Sequence, residues 1–406
     1  MSANVWAYKK FRLAYAANLT STLGSAFSPV GVSFAVIGIT GSTTYLGCVL
    51  AAGITPRLIL LPVAGAVADR YSRTHVMIAA SALSALAQGL VVLLISTAVQ
   101  QIWVLIALVA VTGAASAFFK PAAEGILPLL VPPGLIRQAN VQFRICTNAC
   151  VVLGPAVAGA LIGATHRPEL AILVDALSFV AAIPLLSFLR LPPRQVLATG
   201  VIGLLRGGWT EFWSHTWLWV VVLQSAVTNV GDSTAFRLLG PVVAQRLYGG
   251  AATWGLLVSV QGIGYLLGGV VSIWFKPRRL LRAGVGCAAG VALPGIAMAL
   301  SSPLPVLLAA DLMSGVLNEQ YGVAWATALC QHVPEQLLSR VSSYDLLGSQ
   351  MLIPVGYLVG GTVVGHLGID ASLWWCVVLI LVPTVLALLS RQVRILEQPC
   401  ATAVSR

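Results

Sequence analysis

The sequence predicts an all-α integral membrane protein with twelve transmembrane helices in two six-helix halves, and three observations predict it. Of the 406 residues 58% are hydrophobic and only 9% charged, against about a quarter charged in ordinary soluble domains. Apolar stretches of about 20 residues, enough to cross the roughly 30 Å hydrocarbon layer, recur along the whole chain. The net charge of +11 is spread over short loops between those stretches rather than gathered in one patch. It reads as topology and excludes nucleic acid as a partner; the lipid bilayer is the solvent.

Taken in order, span 1 covers 12–38. It follows Lys9, Lys10 and Arg12 as a signal peptide would, but it runs too long and has no small-residue cleavage site, so it is retained. Spans 2 to 6 fall at 45–67, 75–97, 102–120, 140–163 and 169–189, each bounded by polar or Pro/Gly-rich breaks. Spans 7 to 12 fall at 216–245, 252–275, 283–300, 304–328, 341–364 and 372–390. An even number of spans sorts the loops into two alternating sets. One holds the N-terminus, Arg70, Arg73, Lys120, Arg137, Arg144, Arg190, Arg194, Arg206, Lys276, Arg278, Arg279, Arg282, Arg340 and the C-terminal arginines; the other holds Arg167 and Arg246. One miscounted span would invert every later loop, so the imbalance supports the count and places both termini in the cytoplasm. The longest break divides the chain into a first half at 1–190, a cytoplasmic linker at 191–215, a second half at 216–390 and a cytoplasmic tail at 391–406. Two six-span halves around a midplane site are a plan of secondary transporters.

The remaining chemistry is sparse. Seven cysteines are scattered through apolar runs, and Cys146 and Cys150, though four apart on one helix face, have no histidine or carboxylate neighbour, so no metal and no cofactor is expected. There is no H-E-x-x-H, no G-x-S-x-G and no Walker loop, which argues against an enzyme.

Ionisable side chains inside spans cost about 2.5–3.5 kcal/mol on insertion scales and tend to face a polar cavity or a partner. Here they are Arg57, Asp175, Asp232, Arg237, Asp311, Glu319 and Asp345. In span 10, Asp311, Gly315, Asn318, Glu319 and Gly322 share one helical face; in span 7, Asn229, Asp232 and Phe236 form a stripe with Arg237 beside it; in span 1, Asn18, Ser21, Thr22 and Ser25 do the same. Asp345, beside Arg340, and Asp175, near the outer end of span 6, read as structural caps or ion pairs, and Arg57 as a structural partner for a carboxylate of the other half. Phe118, Phe119, Phe236 and Trp254 offer apolar surface to a ligand or to lipid. Glycine pairs four apart, Gly159/Gly163, Gly264/Gly268 and Gly356/Gly360 with Gly361/Gly365, predict close helix packing.

After span 2 the chain reads GAVADRYSRTH from Gly65 to His75, which resembles the loop signature of the major facilitator superfamily in Gly65, Asp69, Arg70 and Arg73. Gly65 is expected to let span 2 approach a neighbour closely, and Asp69 to face a helix N-terminus or a basic partner. Ser72 stands where the family has glycine, and Thr74 and His75 replace a second basic residue. The corresponding stretch of the second half, GGVVSIWFKPRRLLR from Gly268, keeps the glycines and basic residues without the acid. AFFKPAAEGILPLLVP from Ala117, NVQFRICTNACVVLGPAVAGALIG from Asn140 and WATALCQHVPEQLLSRVSSYDLLGSQMLIPVGYLVGG from Trp325 are similar to the branch of the enterobactin exporter and actinobacterial drug-efflux-like permeases. Gly154, Pro155 and Gly159 resemble part of the antiporter signature, with Ala158 in place of one glycine.

The resemblance implies that spans 1, 4, 7 and 10 line a central cavity and that spans 2, 5, 8 and 11 form the seam between halves. It implies a multi-pass, monomeric exporter of the bacterial plasma membrane, moving a small amphipathic or lipophilic molecule by alternating access in exchange for a coupling proton. Asp232, Asp311 and Glu319 are then the candidates for the proton, with Arg57, Arg237, Asn229, Asn318 and Asn18 for substrate or proton contact. Uptake of a metabolite by symport or uniport remains the alternative, kept open by Asp232 and Arg237; a membrane sensor or enzyme is the remote one.

Overall fold

The computed structural model describes residues 4–97, 101–189, 212–275 and 277–395. The linker expected at 191–215 lies almost wholly outside the described residues, as do Arg190, Lys276 and the tail beyond 395. Every long apolar run of the first half is one helix: α1 (Lys9–Thr40), α2 (Thr43–Arg70), α3 (Arg73–Ser96), α4 (Ile102–Ile126), α5 (Ile136–Thr165) and α6 (Pro168–Ser187). The ends follow local chemistry. The chain leaves α1 through Gly41 and α5 through His166, both in the left-handed conformation at φ 59° and 54°. α6 opens with Pro168 at its first position, where the missing N–H would have no partner anyway, and with Glu169 in its first turn.

The second half is more broken than the sequence predicts. Span 7 is α7 (Thr216–Asp232), a π-helical stretch over Ser233–Leu239, and α8 (Gly240–Leu247). α9 (Ala251–Trp274) is continuous, whereas span 9 divides into α10 (Leu280–Ala288), a 3₁₀ turn over Ala289–Ala292 and α11 (Leu293–Ala299). α12 (Leu304–His332) is one helix; span 11 becomes α13 (Glu335–Gln350) and α14 (Ile353–Leu367), parted just before Pro354; α15 (Ile369–Leu389) and a short α16 (Arg391–Ile395) complete the chain. Among the described residues, 10 helices are long and apolar enough to cross a membrane. The 216–247 segment and α12 do not meet that measure. The first is interrupted by its π turn, and the second is diluted by Asp311, Asn318, Glu319 and Gln320.

The outward faces confirm the solvent. Leu, Ile and Val lie exposed along helix after helix, and large aromatics stand out at helix ends: Trp103 is 69% exposed, Phe188 73% and Trp274 75%. Such a surface suits hydrocarbon flanked by an aromatic belt at the headgroups, and would be untenable in water.

The chain divides into two compact units, Met1–Leu197 with Ala244–Ser259, and Ala198–Val243 with Val260–Arg406. In the first, α1 packs on α5 and α6, α2 on α4, and α3 on both α4 and α6. In the second, α7 packs on α15 and α13, α10 on α12, and the π-helical stretch on α14. Close approach occurs where side chains vanish on both partners. A Cβ on Gly113 of α4 would strike the Gly53 carbonyl of α2, and one on Gly315 of α12 would come within 2.9 Å of the Gly264 Cα of α9. In lipid, where apolar surface gains nothing by leaving the solvent, such backbone-to-backbone packing is what holds helices together. At Gly65 the expectation fails, since a Cβ there would meet nothing within 4 Å, and the same holds at Gly365. The close contact of α2 is made three turns earlier, at Gly53.

Candidate functional site

The first unit holds a cavity of about 590 Å³. α1 lines it with Ser21, Thr22 and Ser25, three of the four residues in the polar stripe of span 1. Asn18, the fourth, is half-buried outside this lining, with its side-chain nitrogen unpartnered. α2 contributes Arg57, half-buried at the middle of its span; α4 contributes Phe119 and Lys120; α3 and α6 contribute Gln88, Asp175 and Phe179.

Asp175 corrects the sequence reading. It is neither a cap nor half of an ion pair: its side chain is 2% exposed, accepts a hydrogen bond from Gln88 Nε2 at 2.7 Å and another from Ser25 Oγ at 3.3 Å. The same Gln88 nitrogen donates to Ser28 Oγ at 2.8 Å, so α1, α3 and α6 are tied through one carboxylate. Gly24 makes this possible. Any Cβ there would collide with the Ser178 side chain and press within 3.1 Å of the Asp175 Cα, so α1 can lie against this turn of α6 only without one.

In the second unit Asp232 and Arg237 of span 7 and Asn318 and Glu319 of span 10 interact with Tyr265 of α9, a residue the sequence reading missed. Asn318 Nδ2 donates to the Tyr265 hydroxyl at 3.2 Å, and electrostatic interactions join Tyr265 to Asp232, Arg237 and Glu319. Arg237 also interacts with Tyr357 and Asp232, and Asp311 with Asp232. The π winding explains the pairing of Asp232 with Arg237. Five residues apart, they would diverge on an α-helix, but an i→i+5 hydrogen-bond ladder brings them to one side. Asp311 stands apart in its burial: it is 0% exposed and neither carboxylate oxygen has a hydrogen-bond partner. Asn229 turns away, donating to the Ser349 carbonyl at 2.9 Å. Asp345 also departs from expectation, accepting from the Trp325 indole at 2.9 Å rather than pairing with Arg340. Phe236 and Trp254 are buried, not lipid-facing.

Of the loop-signature residues, Arg73 makes a structural contact. Arg73 hydrogen-bonds the Gly125 carbonyl, tying the start of α3 to the end of α4, and Arg70 is exposed with its guanidinium 6.0 Å from the Tyr71 ring. The Asp69 side chain lies outside the described residues. In α5, Gly154 packs on Ala26 of α1, while Gly159 and the Pro155 carbonyl meet Gly255 of α9.

A helical membrane fold in two units, with Asp175, Asp311 and several hydroxyl side chains buried among otherwise apolar helices, has the architecture of a membrane transporter. The chain belongs to the transmembrane secretion effector family (MFS_3), whose model matches residues 4–403. It is 22% identical over 375 residues to macrolide efflux protein A of Streptococcus pyogenes, covering 89% of this chain and 91% of that protein. To the multidrug efflux pump Tap of Mycolicibacterium fortuitum it is 25% identical over 376 residues, covering 88% and 89%. The fold matches the solved structure of the nucleoside transporter NupG (TM-score 0.73, 14% identity, 93% of this chain and 97% of that one). It also matches a bacterial homologue of the lysosomal transporter Spinster (TM-score 0.74, 16% identity, 97% and 99%).

Proposed function

We propose that this transporter exports a small amphipathic or lipophilic compound across the bacterial plasma membrane, by alternating access and in exchange for protons, with both termini in the cytoplasm. The efflux proteins it resembles support the direction. The observation that carries the coupling is Asp311. A buried carboxyl with no donor is costly to keep charged. Passage between protonated and ionised forms is therefore coupled to a rearrangement that supplies a donor; Asp311 interacts with Asp232, and Asp232 in turn with Arg237 and Tyr265, the two nearby groups able to donate. A proton taken up there shifts the balance between two conformations by its differential stability in them, which is the thermodynamic requirement for exchange. Glu319 and Asn318, on the same face of α12, extend the polar path.

The test is efflux of lipophilic fluorescent compounds from loaded cells and inverted vesicles under an imposed pH gradient. Wild type is compared with Asp311→Asn, Asp232→Asn and Glu319→Gln at matched expression. Gradient-driven outward movement lost in Asp311→Asn is the expected result. Inward movement, or movement indifferent to the gradient and to all three substitutions, refutes the exchange mechanism.

A further inference from the structure

We propose that the cavity of the first unit is an anion-selective binding site for amphipathic organic acids, with Arg57 holding the acidic group; this rests on the transporter reading and names its substrate class. The ionisable groups lining the cavity are Arg57, Lys120 and Asp175. They are not in balance. Asp175 is sequestered, its oxygens engaged by Gln88 and Ser25 and its surface 2% exposed, so it offers little to a ligand. Arg57 and Lys120, among the described residues, have neither a hydrogen bond nor an ion pair. An arginine at the centre of a membrane span with no counter-ion is an expensive arrangement, and a ligand anion relieves it. The guanidinium is suited to that task, because its planar fork matches a carboxylate or phosphate with two parallel hydrogen bonds.

The rest of the lining describes the rest of the ligand. Val49, Leu50, Val109 and Phe119 provide apolar wall, and hydroxyls of α1 and α4 lie between them. The volume of about 590 Å³ falls within the roughly 300–1,000 Å³ of small-molecule sites. A lipophilic body bearing one carboxylate satisfies both the wall and the unpaired cation. A cationic amphiphile of the same shape would meet two positive side chains and a carboxylate that is already occupied.

Binding, rather than transport, tests this. The purified full-length protein in nanodiscs of zwitterionic lipid is titrated with two fluorescent probes sharing one naphthalene body, one bearing a carboxylate and the other a methylammonium. Saturable binding of the anion, at least about tenfold weaker in Arg57→Gln, partly restored in Arg57→Lys and reduced in Lys120→Gln, is the expected result, with the cation bound no better than to empty nanodiscs. Preference for the cation overturns the proposal, as does anion binding unchanged in both Arg57→Gln and Lys120→Gln. Equal loss of both probes in Arg57→Gln, with Lys120→Gln unaffected, assigns Arg57 a structural role instead and equally overturns it. Lys120 is exposed, so its variant reports even where Arg57→Gln fails to fold. Because no gradient is involved, failure of proton-driven export leaves this result readable, and failure here leaves export standing.

Discussion

Replacing each of two buried aspartates by valine is expected to change stability in opposite directions. At Asp311, 0% exposed, both carboxylate oxygens lack a partner. Each unsatisfied buried group costs about 1–3 kcal/mol, so removing both recovers roughly 2–6 kcal/mol. The extra bulk of valine in a packed site takes back about 1–3 kcal/mol. The balance runs from about −1 to +5 kcal/mol and centres on a gain of about 2 kcal/mol, in line with the general finding that apolar replacement of buried charged groups is neutral or stabilising. At Asp175 the arithmetic reverses. Two hydrogen bonds to the carboxylate, from Gln88 at 2.7 Å and Ser25 at 3.3 Å, are lost. At about 1.5–3 kcal/mol each, the cost is roughly 3–6 kcal/mol, and the Gln88 amide is left with Ser28 alone. Thermal unfolding of the two purified variants, followed by tryptophan fluorescence in one detergent, reads the difference: Asp311→Val melts a few degrees above wild type and Asp175→Val several degrees below. Asp311→Val nonetheless loses gradient-driven efflux, which separates function from stability at that position. Shifts of the same sign in the two variants would refute the reasoning, because they would mean that partner satisfaction does not decide what a buried carboxylate costs in this fold.

Two further outcomes follow from packing and hydrogen bonding. Gly113→Ala places a Cβ against the Gly53 carbonyl, a backbone atom that cannot rotate away; a loss of about 1–3 kcal/mol in thermal stability is expected, whereas Gly65→Ala, with open space around it, leaves the melting temperature unchanged. Tyr265→Phe removes the hydroxyl that accepts from Asn318; stability falls by only about 0.5–1.5 kcal/mol, while efflux drops markedly, as measured in the same vesicle assay.

How far the site was legible varies by residue. Asp232, Arg237, Asp311, Asn318 and Glu319 all emerged from the cost of placing polar groups in an apolar run; in the second unit Asp232, Arg237, Asn318 and Glu319 interact with Tyr265, and Asp311 with Asp232. Tyr265 itself did not emerge, because a tyrosine among Leu and Gly in a span gives no signal until its hydroxyl is seen between neighbours. Asp175 was misjudged for a related reason. Its distance from the helix end was readable, but its partners Ser25 and Gln88 lie 150 and 87 residues away in sequence, and no spacing rule connects them. The loop glycine Gly65 erred in the other direction: the motif was recognisable, yet the close approach occurs at Gly53.

By itself the sequence determined the solvent and the helical class, since an unpaired backbone in hydrocarbon admits only helices or closed barrels and the apolar stretches are long enough to cross. It also determined which residues are too polar to face lipid. Tertiary structure alone decided which of those residues meet, where span 7 unwinds into a π turn that turns Asp232 and Arg237 to one side, and which carboxylate is satisfied and which is not. Those outcomes depend on contacts between segments far apart in the chain, and on glycines that permit one backbone to lie against another.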